Sequence, residues 1–337
     1  MTSFFVRWRK YRASVLWNMV VVWLSYQISR RSKKAVQWGK PISISIEPTT
    51  SCNLRCPECP SGLRSFSRPT GMLSTEINKK VIDELSPQLF YITYYFQGEP
   101  FLNPSFTDLV SYASSKNIFT VTSTNAHYLD DENCVRTIES GLSKLIVSID
   151  GFTEESYSKY RVGGQLSKVL EGTKNMVEWK RKTGSKTPEI VWQFIVFRHN
   201  EHELEELRDL AKNIGVDRVS VKTAQIYNFE ENTDLIPTIE KYSRYKEVDG
   251  KYQIKNKLLN QCWRMWSGSV ITWDGKVVPC CFDKDADHQM GEIAETSFNS
   301  IWKGKAYNRF RNAILQSRSG IDICTNCTEG TKVFEND

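Results

Sequence analysis

Nine cysteines set the chemistry open to this 337-residue chain. Cys52, Cys56 and Cys59 form one Cys-x3-Cys-x2-Cys loop, and Cys262, Cys280, Cys281, Cys324 and Cys327 fall near the C-terminus. Cys56-Pro57-Glu58-Cys59, adjacent Cys280-Cys281 and Cys324-Thr325-Asn326-Cys327 are poorly placed for mutual disulfides, and a chain of this size does not depend on them. Ligation of metal or cluster in a reducing compartment fits better. Three thiolates in a tight loop, without a nearby histidine or fourth cysteine, leave a tetrahedral zinc site incomplete. The same three leave one iron of an iron-sulfur cubane free to bind a further ligand. Structural zinc remains an alternative for Cys324 and Cys327, because paired Cys-x2-Cys knuckles bind it. Cys134 stands alone in a helical stretch and reads as a small buried residue.

A scaffold must hold these thiols. Beyond Gly39, short apolar strands alternate with longer amphipathic segments. Strands are expected near 42–46, 91–96, 119–123, 145–149, 190–196 and 218–222, with helices near 74–85, 105–116, 131–141, 164–182 and 201–214. This α/β alternation predicts parallel βα units, and six of them suit a partial (β/α)6 TIM-like barrel rather than a closed eight-stranded one. Ser74 and Asn200 are the expected helix caps. The polar stretch 228–257 reads as a connecting segment between a core at 41–227 and a small C-terminal module at 258–337.

Charge separates the N-terminus from the rest. Residues 1–40 carry nine of the 45 cations and no acid, which leaves 36 cations against 39 acids in the body. A nucleic-acid partner gains no support from that balance. Within the arm, 13–28 is uncharged and rich in Val, Leu and Trp, shorter than the roughly 20 residues of a membrane span. No small-residue cleavage site follows, which argues against a signal peptide. Cationic flanks and Trp8, Trp17, Trp23 and Trp38 suit an amphipathic helix in a membrane interface. A terminal helix packed on the body and a short tilted span are the other readings. The expected location is cytoplasmic, peripheral at the membrane face.

The run Glu47-Pro48-Thr49-Thr50-Ser51-Cys52-Asn53-Leu54-Arg55-Cys56-Pro57-Glu58-Cys59 resembles the signature loop of the radical S-adenosylmethionine (SAM) superfamily. The resemblance implies a [4Fe-4S] cluster on Cys52, Cys56 and Cys59 whose free iron chelates SAM. It also implies reductive cleavage to a 5′-deoxyadenosyl radical and a low-potential electron donor of the flavodoxin or ferredoxin type. Gln97-Gly98-Glu99-Pro100 is similar to the family's Gly-Gly-Glu-Pro segment, which makes Gly98 and Glu99 the expected receivers of the SAM amino group. Ser123, Asn125, Ser148 and Asp150 end strands where family members hold the ribose or methionine carboxylate, on the active face of such barrels. Arg161 resembles the family arginine that pairs with that carboxylate, a task suited to a bidentate guanidinium.

Cys262-x12-Gly275-x4-Cys280, followed by Cys324-x2-Cys327, resembles the auxiliary-cluster module called SPASM and its shortened form, twitch. Asp283, Gly291, Ile293, Ile301-Trp302 and Arg311 follow in the expected order. The resemblance implies one auxiliary [4Fe-4S] cluster on Cys262, Cys280, Cys324 and Cys327, with Cys281 as the alternative to Cys280. Four thiolates leave no iron open to substrate, so such a cluster accepts or relays an electron. In shortened family members this assists oxidation of a substrate radical, and the leading expectation is oxidation of a polyol, sugar or lipid-linked small molecule. The alternative is a peptide- or protein-modifying enzyme, and a third reading is a zinc-stabilised scaffold without SAM chemistry. Lys222, Gln193, Tyr95 and Arg264 are candidates for a general base.

Overall fold

The computed structural model describes residues 13–231 and 233–329. In chain order the core runs through α1 (Ala13–Ser32), β1 (Ser43–Ile46), α2 (Pro60–Leu63), α3 (Thr75–Leu85), β2 (Tyr91–Tyr94), α4 (Phe106–Ser115), β3 (Phe119–Thr124), α5 (Asp131–Glu139) and β4 (Lys144–Ser148). It continues through α6 (Glu154–Tyr160), α7 (Leu166–Thr183), β5 (Glu189–Val196), α8 (Leu204–Ile214) and β6 (Arg218–Thr223). The remainder holds a hairpin, β7 (Tyr245–Val248) and β8 (Lys251–Ile254), then α9 (Arg264–Ser267), β9 (Gly268–Ile271), β10 (Lys276–Val278), β11 (Gly291–Glu292), α10 (Phe298–Trp302) and α11 (Lys305–Ser317).

Alternation along each strand decides which face meets the helices. On β5, Ile190, Trp192, Phe194 and Val196 are buried in the main hydrophobic core, while Gln193 and Ile195 point the other way. In-register pairing carries that division across the sheet, so Ser43, Thr93, Ser123, Ser148, Gln193 and Ser220 share the face away from the helices. The inner face is therefore polar and the outer one apolar. Each large side chain such as Trp192 contributes roughly 1.5–3 kcal/mol by burial. At the strand beginnings, Glu189 pairs with Lys144 at 3.1 Å and Arg218 at 3.6 Å across the inner face.

The strands lie in the order β11-β10-β9-β1-β2-β3-β4-β5-β6, with β1 to β6 parallel. The sheet is open, as six units suggested. Beyond the sequence reading, the C-terminal hairpin belongs to that same sheet: β9 pairs parallel with β1 from Ser43↔Gly268 to Ile46↔Ile271, and β10 and β11 follow antiparallel. Gly275 turns the β9–β10 hairpin with φ +87°, a conformation that costs other residues roughly 1–2 kcal/mol.

Two local expectations need correction. Ser74 caps α3 by accepting from Ile77 N, but Asn200 does not cap α8, whose flanking residue is Glu203. Asn200 is buried and cross-links strand ends instead, accepting from Phe197 N and donating to the carbonyls of Asp150 and Ile195. The second concerns α1, which is not amphipathic in the ordinary sense. Its buried face includes Asn18, Ser25 and Ser29, while Trp17, Val20, Leu24 and Ile28 face outward.

Candidate active site

The first cysteine centre grows from the C-terminal end of β1. Thr49 and Ser51 start a loop whose backbone is tied on every side: Thr50 N donates to Gly71 O, Arg55 N to Val162 O at 2.8 Å, and Glu99 N to Ser51 O at 2.8 Å. Leu54 is the loop's apolar anchor, packed in a second hydrophobic cluster with Tyr160, Phe197, Ile226, Ile236 and Tyr245. Cys52, Cys56 and Cys59 thus sit on a fixed loop that ends at α2, where Cys59 takes the N-cap position. Burial pushes the Cys52 thiol up to about 12 and raises Cys56 as well. Such thiols give up their protons on binding metal, so assembly is driven by the metal.

Around that loop, Gly98 adopts φ +72°, and a Cβ there would stand 2.3 Å from Thr49 O. Its N–H donates to Ser61 Oγ at 2.9 Å. The Glu99 carboxylate is buried and accepts from Thr124 Oγ1 at 2.7 Å, Asn125 N at 2.8 Å and Phe101 N at 3.3 Å. Burial nonetheless lifts it from its ordinary 4.5 to about 7. Asn125 Nδ2 donates to Asn53 Oδ1 at 2.7 Å, joining the end of β3 to the cysteine loop. Ser123 and Ser148 meet at 3.3 Å on the inner face.

Asp150 is fully committed within the protein. One oxygen accepts from Ile195 N at 2.7 Å, and the other receives Arg161 Nε at 2.6 Å and Nη2 at 2.5 Å. Arg161 Nη1 reaches Cys56 Sγ at 3.9 Å. Asp150 therefore aims the guanidinium at the first centre.

The second centre gathers the C-terminal cysteines. Burial pushes Cys280 far up, with Cys281, Cys262 and Cys324 adding to the effect, and it lifts Cys262 to about 12 and Cys324 to about 11. Arg318, only 2% exposed, lies among these thiols and donates from Nη2 to Cys327 Sγ at 3.1 Å. A buried guanidinium surrounded by thiols is compensated when they are anionic, and a four-thiolate cluster is. Cys281 instead lies 3.8 Å from Arg264 Nη1, and Arg264 also binds Glu329 at 3.0 Å. The residues present fit clusters at both centres.

A cavity of about 260 Å³ opens beside the second centre, lined by Ser43, Ser45, Tyr91 and Thr93 of the sheet and by Arg264, Cys280 and Cys281. Burial lowers Lys222 on the inner face, with Arg218, Arg264 and Lys144 adding to the effect, and it raises Tyr95 well above the usual phenol range. Gln193 shares the face with Lys222.

Sequence reasoning missed several of the residues that join the centres. Glu47 and Arg68 form a buried bidentate pair at 2.6 and 2.9 Å, and Arg68 Nε also donates to Lys284 O at 2.7 Å. Lys284 bonds the Tyr227 hydroxyl, while Tyr227 N donates to Glu58 Oε2 at 2.8 Å. The segment expected only to connect the modules supplies Tyr245, whose hydroxyl lies 3.1 Å from Asn326 Oδ1 inside the Cys324–Cys327 knuckle. Glu47 stood in the signature run and could have been flagged. Nothing in Gln316-Ser317-Arg318-Ser319-Gly320 marks Arg318 as buried.

Comparison with known proteins agrees with this arrangement. Residues 46–211 match the Radical SAM superfamily and residues 262–328 the SPASM iron-sulfur cluster-binding domain. The chain is 26% identical to the tungsten-containing aldehyde ferredoxin oxidoreductase cofactor-modifying protein of Pyrococcus furiosus, over 84% of this chain and 86% of that one. It is 24% identical to the PqqA peptide cyclase of Bradyrhizobium diazoefficiens, over 84% and 79%. Among solved structures, BtrN in complex with AdoMet and 2-DOIA superposes with a TM-score of 0.55 at 18% identity, over 88% of this chain and 95% of that one, a likeness of fold. The chain belongs to the radical SAM superfamily and carries a C-terminal SPASM domain. Its cofactors are SAM, a SAM-binding [4Fe-4S] cluster and auxiliary iron-sulfur.

Proposed function

We propose that this enzyme modifies a peptide or protein by radical chemistry, with Cys52, Cys56 and Cys59 holding the SAM cluster. Cys262, Cys280, Cys324 and Cys327 hold one auxiliary cluster in this reading. When bound, the cofactors would supply hydrogen-atom abstraction by a SAM-derived radical and one-electron transfer. The chain's own work is positional. Gly98 leaves room for the cysteine loop to approach, and Glu99, fixed by three donors, offers its carboxyl near the position expected for the SAM amino group. Arg161, aimed by Asp150, takes the SAM carboxylate, and the polar inner face receives the substrate between the centres.

The observation that carries the peptide reading is the match to a named peptide cyclase over 84% of this chain. The leading expectation from sequence, a polyol, sugar or lipid-linked substrate, gives way to its alternative, since the relatives above act on a peptide and a cofactor by name. A flavodoxin or ferredoxin donor, and a cytoplasmic place at the membrane face, belong to the same proposal.

The test is anaerobic incubation of reconstituted enzyme, SAM and dithionite with deuterated peptides encoded beside its gene. Deuterium in 5′-deoxyadenosine and a mass loss in the peptide are expected. Transfer from deuterated polyols or sugars instead would overturn the peptide reading and leave radical SAM chemistry standing.

A further inference from the structure

The outer face of α1 is apolar although the helix is already packed on the body. Its rotation is fixed by the chain returning from it: Asn18 accepts from Lys40 N at 2.9 Å and donates to Lys40 O at 3.0 Å, Ser29 Oγ accepts from Val36 N at 2.8 Å, and Ser25 Oγ from Trp38 N at 3.1 Å. Tyr26 then stacks edge-on against Trp263 and Trp266, at 5.3 and 5.5 Å between centroids. With the polar side chains turned inward, Trp17, Val20, Leu24 and Ile28 form an outward stripe at i, i+3, i+7 and i+11. Trp17 is 69% exposed, Trp23 beside the stripe 52%, and Trp38 54%. The stripe is about 16 Å long at 1.5 Å per residue.

Charge identifies what covers it. Arg30, Arg31, Lys33 and Lys34 follow the stripe, and residues 1–40 contain nine cations and no acid. A protein partner could supply either apolar area or acids, but an anionic bilayer offers both along one plane. No described helix is long and apolar enough to cross a membrane, so the contact lies in the plane of the surface, with tryptophans at headgroup depth.

We infer that the outward face of α1 docks the enzyme on anionic lipid, with the Cys262 side of the molecule toward the bilayer. Trp263, against which Tyr26 packs, directly follows Cys262, so the docking helix backs the auxiliary centre. This inference gives the peripheral location proposed above a face and a lipid class, and rests on that reading only for the choice of leaflet.

The test uses the full cluster-loaded chain with phosphatidylglycerol/phosphatidylethanolamine vesicles and pure phosphatidylcholine vesicles, SAM cleavage being measured on every sample. Cosedimentation with the anionic vesicles, weakened by 0.5 M salt, is expected, together with an at least tenfold loss of partitioning in the triple variant Trp17→Ser/Leu24→Ser/Ile28→Ser at unchanged SAM cleavage. Quenching of wild-type tryptophan fluorescence by brominated phosphatidylglycerol decides the matter independently if that variant fails to fold. Equal sedimentation of variant and wild type, absence of quenching, or a concentration-dependent dimer dissolved by the triple substitution would overturn the inference. Loss of docking with SAM cleavage intact would leave the proposed chemistry untouched.

Discussion

Replacing Glu47 by Gln tests how the cysteine loop is held. Glu47 ends its segment five residues before Cys52, and its side chain is fully buried against Arg68, itself 5% exposed. Both oxygens receive guanidinium N–H groups, one also accepts from Trp273 N at 3.2 Å, and Arg68 Nε reaches Lys284 O. One pair therefore fastens the first loop, the hairpin turn and the segment after Cys281. Removing one member of such a buried pair costs about 3–5 kcal/mol, because the remaining charge stays desolvated. Removing both charges, as in Glu47→Gln/Arg68→Met, costs far less by the same reasoning. The assay is a double-mutant cycle on anaerobic urea unfolding of cluster-loaded protein, with the rate of iron loss to a chelator as a second readout. A coupling energy of about 2 kcal/mol or more, and faster iron loss in each single variant, are expected. Additive costs in the cycle, or single variants within about 0.5 kcal/mol of wild type, would refute the reasoning.

Other consequences are equally direct. Gly98→Ala places a Cβ against Thr49 O at φ +72°, so SAM affinity measured by equilibrium dialysis falls at least tenfold while iron content is retained. Cys280→Ala reduces the iron count from about eight to about four per chain, whereas Cys281→Ala leaves about eight, if Cys281 faces Arg264 and not the cluster. Arg318→Gln removes the donor to Cys327 and makes the auxiliary cluster harder to reduce. A tenfold change in the one-electron equilibrium, about 59 mV more negative by EPR-monitored titration, is the expected scale. Glu99 titrates near 7 when folded, so its protonated form is favoured by folding. In SAM-free protein that stabilisation is complete below the ordinary 4.5 and is lost as pH rises through about 7, by ~3 kcal/mol in all. Glu99→Gln flattens that slope in urea midpoints measured between pH 4.5 and 7.5.

The strands were legible because burial on one face imposes alternation, as Trp192, Phe194 and Val196 show. The cysteine loop was legible because ligand chemistry restricts residue type and spacing. Other features depended on tertiary pairing that local pattern does not encode. Gly268-Ser-Val-Ile is too short to announce itself as a strand, and only pairing with β1 makes it one. Asn200 carries the signature of a cap, yet buried carbonyls at two strand ends compete for its amide. The pairing of Asp150 with Arg161 and Ile195 N joins residues far apart along the chain. On α1, composition alone could not tell which face turns inward, and hydrogen bonds between Asn18, Ser25 and Ser29 and the backbone of residues 36–40 settle it, Ser25 and Ser29 accepting from Trp38 N and Val36 N.

Because β9 lies in register beside β1, the separation of the two cysteine centres is a dimension of the backbone ladder and not of a tether. Strand β1 delivers the loop of Cys52, Cys56 and Cys59, and its neighbour runs from just after Cys262 toward Cys280. The segment joining the modules can lengthen or shorten over evolution without changing the spacing of the two cysteine centres. Swivelling of one module on the other would have to break the β1–β9 ladder. Divergence is thereby steered to the side chains and loops of the inner face, with the spacing of the two centres kept as an invariant of the sheet.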